Sequence, residues 1–255
     1  MEEIAPGSIL QRMYLKHRLK GRNYKTFCEI GGGNGEISSI LLKAGLTGKG
    51  FDLNNEACKN NAEKNKKFIA DKNYSVVHGN IFDQPITEKF DILISSMVIE
   101  HLDDTEVQKY FENCKKYLNT NGSIIVFVPS GMKFWGVEDE IAGHFRRYEY
   151  DDFKQLAEKH ALKIKDLAGL TFPVSNILLS LSNMLVSKNE NYKKNLSMQE
   201  RTVLSGNRNV KYKTSFPSVF KLVLNEIVMY PFYILQNMNR TNPKCMVIYC
   251  ELGLN

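Results

Sequence analysis

Five cysteines (Cys28, Cys58, Cys114, Cys245 and Cys250) are all that the 255 residues contain, an odd number with no Cys-x-x-Cys pair. That spacing excludes a disulfide framework. The opening MEEIAPGSIL lacks the basic-then-apolar order of a secretory leader, so the reducing cytoplasm is the expected compartment. Long apolar runs are missing as well. Leu167 to Leu185 and Val219 to Leu235 are broken by Asn, Ser, Pro, Lys221 and Glu226. Neither reaches the about 18 consecutive apolar residues that a spanning helix needs. Repeats, low-complexity tracts and proline-rich linkers are absent too, which excludes collagen-like, coiled-coil and disordered chains. What remains is ordinary globular composition, 43% apolar and 24% charged, long enough for one large domain or two small ones.

The net charge of +6 is unevenly placed. Seven Lys or Arg against two Glu (Glu190 and Glu200) fall between Lys188 and Lys213, and a second basic stretch holds Arg12, Lys16, Arg18, Lys20, Arg22 and Lys25. Such patches suit nucleic acid, an anionic membrane surface or a phosphorylated substrate; the bland alternative is a solvated helix face.

Apolar runs and helical periods alternate along the first two thirds of the chain. Strands are expected at 26–30, 48–53, 74–78, 90–95 and 123–128, with helices at 37–44, 56–71 and 104–118. Asp103 or Asp104 can cap the last of these helices. Regular alternation predicts a parallel sheet with helices on both faces. Further on come a helix at 151–160 and strands at 161–167 and 246–251. The stretch between those two strands is too long for a plain connection, so it reads as an insertion: a helix at 173–186, a polar basic loop, and a helix at 217–239 bent near Pro231. The expected organisation is a basic N-terminal helix (1–25), a core (26–168), a helical cap (169–243) and the final core strand (244–255).

Between the first strand and helix lies Glu29-Ile-Gly31-Gly32-Gly33-Asn34-Gly35-Glu36, where a glycine-rich turn can bind a nucleotide-like ligand. A dinucleotide fingerprint would need glycine at position 36, and Glu36 there would repel a diphosphate at the helix N-terminus. The Lys-Ser/Thr ending of a P-loop is also missing. A ligand with an amine and a ribose but no phosphate fits better: Glu29 could accept from the amine, and Asp52 at the end of the second strand could hold ribose hydroxyls.

Those features describe S-adenosylmethionine, and from about Thr26 to Leu167, plus the last strand, the sequence resembles the class I S-adenosylmethionine-dependent methyltransferases of the small-molecule branch. The family pattern Glu-x-Gly-x-Gly-x-Gly is met by Glu29, Gly31, Gly33 and Gly35, and the acidic ribose ligand by Asp52, followed by Leu53. Asn80, followed by Ile81, stands where the family usually has an Asp facing the adenine amine; an Asn oxygen can accept the same bond. The run from Phe90 to Asp103 matches the family's fourth-strand motif, whose end at Ser95, Ser96 and Met97 lies beside cofactor and acceptor. The resemblance implies a Rossmann-like α/β fold, a seven-stranded mostly parallel sheet, with S-adenosylmethionine as cofactor.

Methyl transfer from a sulfonium is an in-line displacement, in which placing the reactants supplies much of the acceleration. A neutral alcohol also needs a general base. His144 and His101 are the candidates, His144 within Trp135 to Tyr148, a stretch dense in acid, His, Arg and aromatic residues that leaves the fifth strand. That stretch should line the acceptor pocket through Trp135, Arg146, Arg147 and Tyr148; the competing reading is that His144 and the arginines only tie the loop to Glu138, Asp139 or Glu140. A metal reading would use Asp139, Glu140 and His144, but the ligand pattern of the metal-binding catechol methyltransferases is not matched, and no metal is expected.

Phe172, Pro173, Val174, Ile177, Leu178, Leu181 and Leu185 recur near helical spacing in the insertion, as do Phe220, Val223, Leu224, Ile227 and Tyr230, and would serve either as plain packing or as an apolar acceptor channel or membrane-facing surface. The expected activity is methyl transfer to a hydroxyl of a small lipid-like, isoprenoid or glycosylated precursor, with peripheral contact to anionic lipid at the inner membrane face. Two rivals are a methyltransferase acting on RNA or protein and a catalytically silent cofactor-binding scaffold. Aromatics interleaved with the basic residues are limited to Tyr192 and Tyr212, which argues against a nucleic-acid groove.

Overall fold

The computed structural model describes residues 5–84, 87–190, 195–205, 220 and 222–255. In chain order its elements are α1 (Pro6–Leu19), β1 (Thr26–Ile30), α2 (Glu36–Lys43), β2 (Thr47–Asp52), α3 (Asn55–Lys64), α4 (Lys66–Ala70), β3 (Tyr74–His78), β4 (Phe90–Ser96), α5 (Asp104–Tyr117), β5 (Leu118–Pro129), α6 (Val137–Ala142), α7 (Tyr150–Lys159), β6 (Leu162–Leu170), α8 (Val174–Glu190), α9 (Met198–Ser205), α10 (Glu226–Met238) and β7 (Val247–Leu254). The strands form one sheet in the order β3-β2-β1-β4-β5-β7-β6. The first five pair in parallel, and β7 runs antiparallel to both β5 and β6. This is the seven-stranded, mostly parallel, Rossmann-like sheet expected from the alternation.

Local chemistry accounts for most of the boundaries. Asp103 caps α5 by accepting from the Glu106 N–H, while the Glu106 carboxylate accepts from the Asp103 N–H, a capping box. Asn54 caps α3 through the N–H groups of Glu56 and Ala57. The single helix expected at 56–71 is divided at Asn65, whose side chain turns to the Gly35 carbonyl and Asn61. The polar loop expected after α8 contains a further helix, α9, and α6 adds a short helix inside the connection after β5. The last helix of the insertion is described only as α10, which contains Pro231; residues 217–219 and 221 of the expected span lie outside the described residues.

Apolar residues bury on both faces of the sheet. On one face α5 and α7 cover Cys28, Leu93, Ile124 and Val126; on the other α1, α2 and α10 cover Phe27, Ile92, Ile125 and Tyr249. All five cysteines are buried and unbridged. The basic stretch of α1 is partly spent inside the fold. The Arg18 guanidinium donates to Glu251 at 2.6 Å and lies 3.4 Å from Asp166, and Lys16 pairs with Glu226 of α10. These pairs clamp α1 to the sheet edge, so this patch does structural duty. Much of the second basic patch, 191–194 and 206–213, lies outside the described residues. Among the described residues no helix is long and apolar enough to cross a membrane.

Candidate active site

The strand order reverses beside β1, and α/β sheets bind ligands at the carboxyl ends of their strands at such a point. A cavity of about 1020 Å³ opens there, lined on one wall by Gly31, Gly33, Asp52, Leu53 and Ser96, and on the other by His101, His144 and Arg147. Helices α1 and α8 close it, through Gly7, Ser8 and Gln11 on one side and Leu178, Leu181 and Leu185 on the other. Its volume is at the upper end of small-molecule pockets, about 300 to 1,000 Å³, enough for two ligands side by side.

The first wall is made of backbone held in place. The Gly31 and Gly32 N–H groups both donate to the Phe51 carbonyl at 2.8 Å, which folds the loop over the end of β2. Gly33 donates to the Asp52 carboxylate at 2.8 Å, and Asn54 donates to its other oxygen at 2.7 Å. Gly31 and Gly33 have φ of 73° and 48°, the left-handed region in which a side chain is costly. Gly35 (φ 81°) is absent from the cavity lining and starts α2, where a Cβ would strike the Asn61 side chain. Glu29 is buried beneath the loop and accepts from both the N–H and the hydroxyl of Ser38. Burial pushes its carboxyl up to about 8 against the opposing effect of those bonds. Its visible task is to fasten α2 to β1.

Two further cofactor candidates stand off this cavity. Ile81 is 0% exposed and part of the sheet core, so it offers no surface to a ligand. Asn80 uses its side-chain oxygen to cap its own turn, accepting from the Phe82 N–H at 3.1 Å, and does not line the cavity. The same holds for three residues expected in the acceptor pocket. Tyr148 is 2% exposed, with its hydroxyl donating to the Ile99 carbonyl at 3.1 Å. Arg146 points outward to Asp104, and Trp135 is not among the lining residues. Arg147 does reach the cavity, but its Nε donates to Asp139 at 2.9 Å and it also donates to the Ser130 carbonyl at 3.3 Å. An aromatic and basic connection looks like a binding loop in sequence; here most of it fastens the loop to the sheet.

The second wall is different in kind. His144 Nδ1 lies 2.9 Å from Oδ1 of Asp139, which Arg147 shares, so the loop-tying ion pairs weighed from sequence form around Asp139. Those partners hold the Asp139 carboxyl below its ordinary value despite its burial. The imidazoles of His144 and His101 stack edge to face, 4.7 Å between centroids. His101 Nδ1 is 3.4 Å from the Gly143 carbonyl and 3.3 Å from Thr202 Oγ1 of α9, and burial pushes His101 down to about 4. Next to it, Glu100 is 0% exposed, and among the described residues neither carboxyl oxygen has a hydrogen-bond partner. Burial pushes that carboxyl up to about 8. Sequence reasoning passed over Glu100; its only signal was its place beside His101 just past a strand end. Met97, at the turn out of β4, has φ of 55°, a conformation costing about 1 to 3 kcal/mol that collects at functional sites.

The donor implied by the glycine motif fits this geometry. The first wall offers backbone and the Asp52 carboxylate to a phosphate-free ligand, and among the described residues the one arginine lining the cavity, Arg147, is tied to Asp139. The comparisons agree. Residues 5–166 match the family described as "Methyltransferase domain". Phenazine-1-carboxylate N-methyltransferase of Pseudomonas aeruginosa is 27% identical over 103 residues, 40% of this chain and 30% of that enzyme. The match therefore spans less than a third of that relative's length. Two solved structures share the fold over nearly the whole chain: the glycopeptide N-methyltransferase MtfA in complex with S-adenosylmethionine (TM-score 0.56, 9% identity, 98% of this chain and 94% of that one) and an S-adenosylmethionine-dependent methyltransferase from Clostridium acetobutylicum (TM-score 0.56, 11% identity, 99% and 93%). With the family matched over well over half its length and this fold around it, the chain belongs to the S-adenosylmethionine-dependent methyltransferases.

Proposed function

We propose that the protein methylates a hydroxyl of an apolar small molecule. S-adenosylmethionine supplies a methyl group on a sulfonium: the acceptor oxygen forms the new C–O bond as the S–CH3 bond breaks, and a neutral thioether leaves. Gly31, Gly33, Asp52, Leu53 and Ser96 would hold that donor. His144 would take the hydroxyl proton on Nε2, since Asp139 occupies the region of Nδ1 and fixes the ring. The observation that carries the reading is the placement of this supported imidazole in the same cavity as the glycine loop. The apolar class of acceptor is supported by Leu178, Leu181, Leu185, Val223 and Leu224 on the remaining wall, which suit a lipid-like, isoprenoid or aromatic-ring compound.

Peripheral contact with lipid is supported by apolar side chains left in solvent on α8 and α10, among them Ile177, Met184, Ile227 and Met238. Co-sedimentation with anionic vesicles tests it: binding lost on deleting residues 188–213 is the expected result, and an unaltered pellet rejects it.

Turnover with labelled S-adenosylmethionine on a panel of apolar alcohols, phenols and amines tests the main reading. Methylated oxygen is expected. Product on nitrogen alone, in the manner named for the Pseudomonas relative, would replace the hydroxyl by an amine, for which a base is dispensable.

A further inference from the structure

We propose that Glu100, His101 and His144 bind one divalent transition-metal ion, which receives the acceptor's hydroxyl oxygen. This rests on the hydroxyl-methylation reading only for what the ion does, not for its being bound, and with the ion in place activation of the hydroxyl passes from His144 to the metal. One ligand atom from each of the three side chains lies within 4.8 Å of the other two; His101 and His144 line the large cavity, and Glu100 is buried behind them. His144 Nε2 is 4.0 Å from the nearer Glu100 oxygen, too far for a hydrogen bond. Two ligand bonds of about 2.1 Å meeting at one ion hold their donor atoms about 3 to 4 Å apart, so the spacing suits a shared ion with little side-chain movement.

The independent sign is Glu100. A carboxylate with no exposure and, among the described residues, no hydrogen-bond partner for either oxygen is costly to bury, and a cation between it and the imidazoles would remove that cost. The surroundings are arranged as metal sites usually are. Asp139 lies against the far nitrogen of His144 at 2.9 Å, which orients the ring and leaves Nε2 toward Glu100; the Gly143 carbonyl and Thr202 lie near Nδ1 of His101. Charge also favours a dication: Glu100 and Asp139 carry two negative charges when ionised, against the single positive charge of Arg147. This set differs from the Asp139, Glu140 and His144 combination considered from sequence, because Asp139 is turned to Arg147 and His144 as their support.

Two imidazole nitrogens with one carboxylate suit Zn²⁺, Co²⁺ or Mn²⁺ better than Mg²⁺ or Ca²⁺, which prefer all-oxygen shells. Three protein ligands leave a position open toward the cavity. A hydroxyl bound there loses its proton to solvent water, and the electron pair left on oxygen forms the C–O bond already described. His144, then a ligand, no longer accepts that proton.

The test uses the full chain, stripped by chelator dialysis and without donor or acceptor, titrated with Co²⁺ and followed by visible absorption. One equivalent per chain is expected, with d–d bands of nitrogen-ligated Co²⁺. Glu100→Gln and His101→Gln should each weaken binding at least tenfold, and Asp139→Asn by about 10- to 100-fold. His160→Ala, on α7's end outside the cavity, should leave it unchanged. Failure of the native chain to take up one equivalent at millimolar Co²⁺ overturns the proposal, whatever the variants do. So does binding that Glu100→Gln, confirmed folded by circular dichroism, leaves intact. Because no methyl donor is present, either failure leaves hydroxyl methylation with His144 as base standing, whereas a chain that binds Co²⁺ but methylates only nitrogen sinks that function alone.

Discussion

The two walls of the cavity solve opposite problems. At the glycine loop the polar groups have partners within the chain: Gly31 and Gly32 on Phe51, Gly33 and Asn54 on Asp52, Ser38 on Glu29. Across the cavity, behind two imidazoles in contact, a buried carboxyl has neither oxygen paired among the described residues. A surface whose groups are already satisfied holds a shape, and shape is what donor binding asks for. A surface with unpaired buried groups stores electrostatic free energy that an incoming proton, cation or substrate can recover. On the function proposed above, the first wall places the donor and the second carries the acceptor chemistry.

The strongest way to break that division is Gly33→Val. Its φ of 48° is in the left-handed region, where a β-branched residue is an outlier, and its backbone donates to Asp52 at the cavity wall. Affinity for S-adenosylmethionine, read by calorimetry, should fall more than about a hundredfold. Retained affinity would move the donor off this loop.

His144→Ala probes the other wall. Turnover should fall by about a hundredfold or more, the usual worth of a general acid–base group, while donor affinity changes little. A fall in donor affinity instead would mean that the walls are not separable. Equal turnover would leave placement of the reactants as the whole catalytic effect.

This separation also explains what was legible beforehand. Strands buried on both faces read as apolar runs, and a glycine loop between a strand and a helix is a local pattern, so the sheet, Gly31, Gly33 and Asp52 could be found within short windows. The second wall is assembled from residues past the ends of β4 and β5, brought together by backbone bonds such as the Phe145 N–H to the Glu100 carbonyl at 2.8 Å. Nothing in the local run around Glu100 states that His144 lies 4.0 Å away. Burial was equally hidden: Tyr148 and Ile81 sit in stretches polar enough to suggest a site, and each is sealed in the core. The closing of the cavity by α1 had no local signal either, since a helix with Pro at its first turn can pack anywhere.

Glu29 offers a smaller effect and a sign that can be checked. Its carboxyl is held near 8 in the folded chain and has an ordinary value near 4.5 when exposed. Between these values the folded state keeps a proton that the unfolded state has released, so this group's contribution is fully present below about pH 4.5 and is lost as pH rises through 8. Glu29→Gln cannot titrate. Urea unfolding at pH 5 and pH 7 should show native stability falling relative to the variant by about 2 to 3 kcal/mol over that interval. A parallel course for the two proteins would mean that the Ser38 bonds hold Glu29 ionised.

The smallest expected effect is the one that most directly separates sequence appearance from position. Arg146 stands in the same run as His144 and Arg147 and carries the charge expected of an acceptor ligand, yet it reaches away from the cavity to Asp104, which is 88% exposed on its side chain. An ion pair so open to water contributes about 0 to 1 kcal/mol, because solvent and salt screen it. Arg146→Ala should therefore leave kcat and KM for the acceptor within about twofold, and stability within about 1 kcal/mol. Arg147→Ala, by contrast, removes a buried partner of Asp139 and lets that carboxylate turn from His144, so turnover should drop even though the arginine need touch no substrate. If the two substitutions act alike on KM with kcat unmoved, the connection binds the acceptor directly through its arginines, and the second wall extends further than its buried groups.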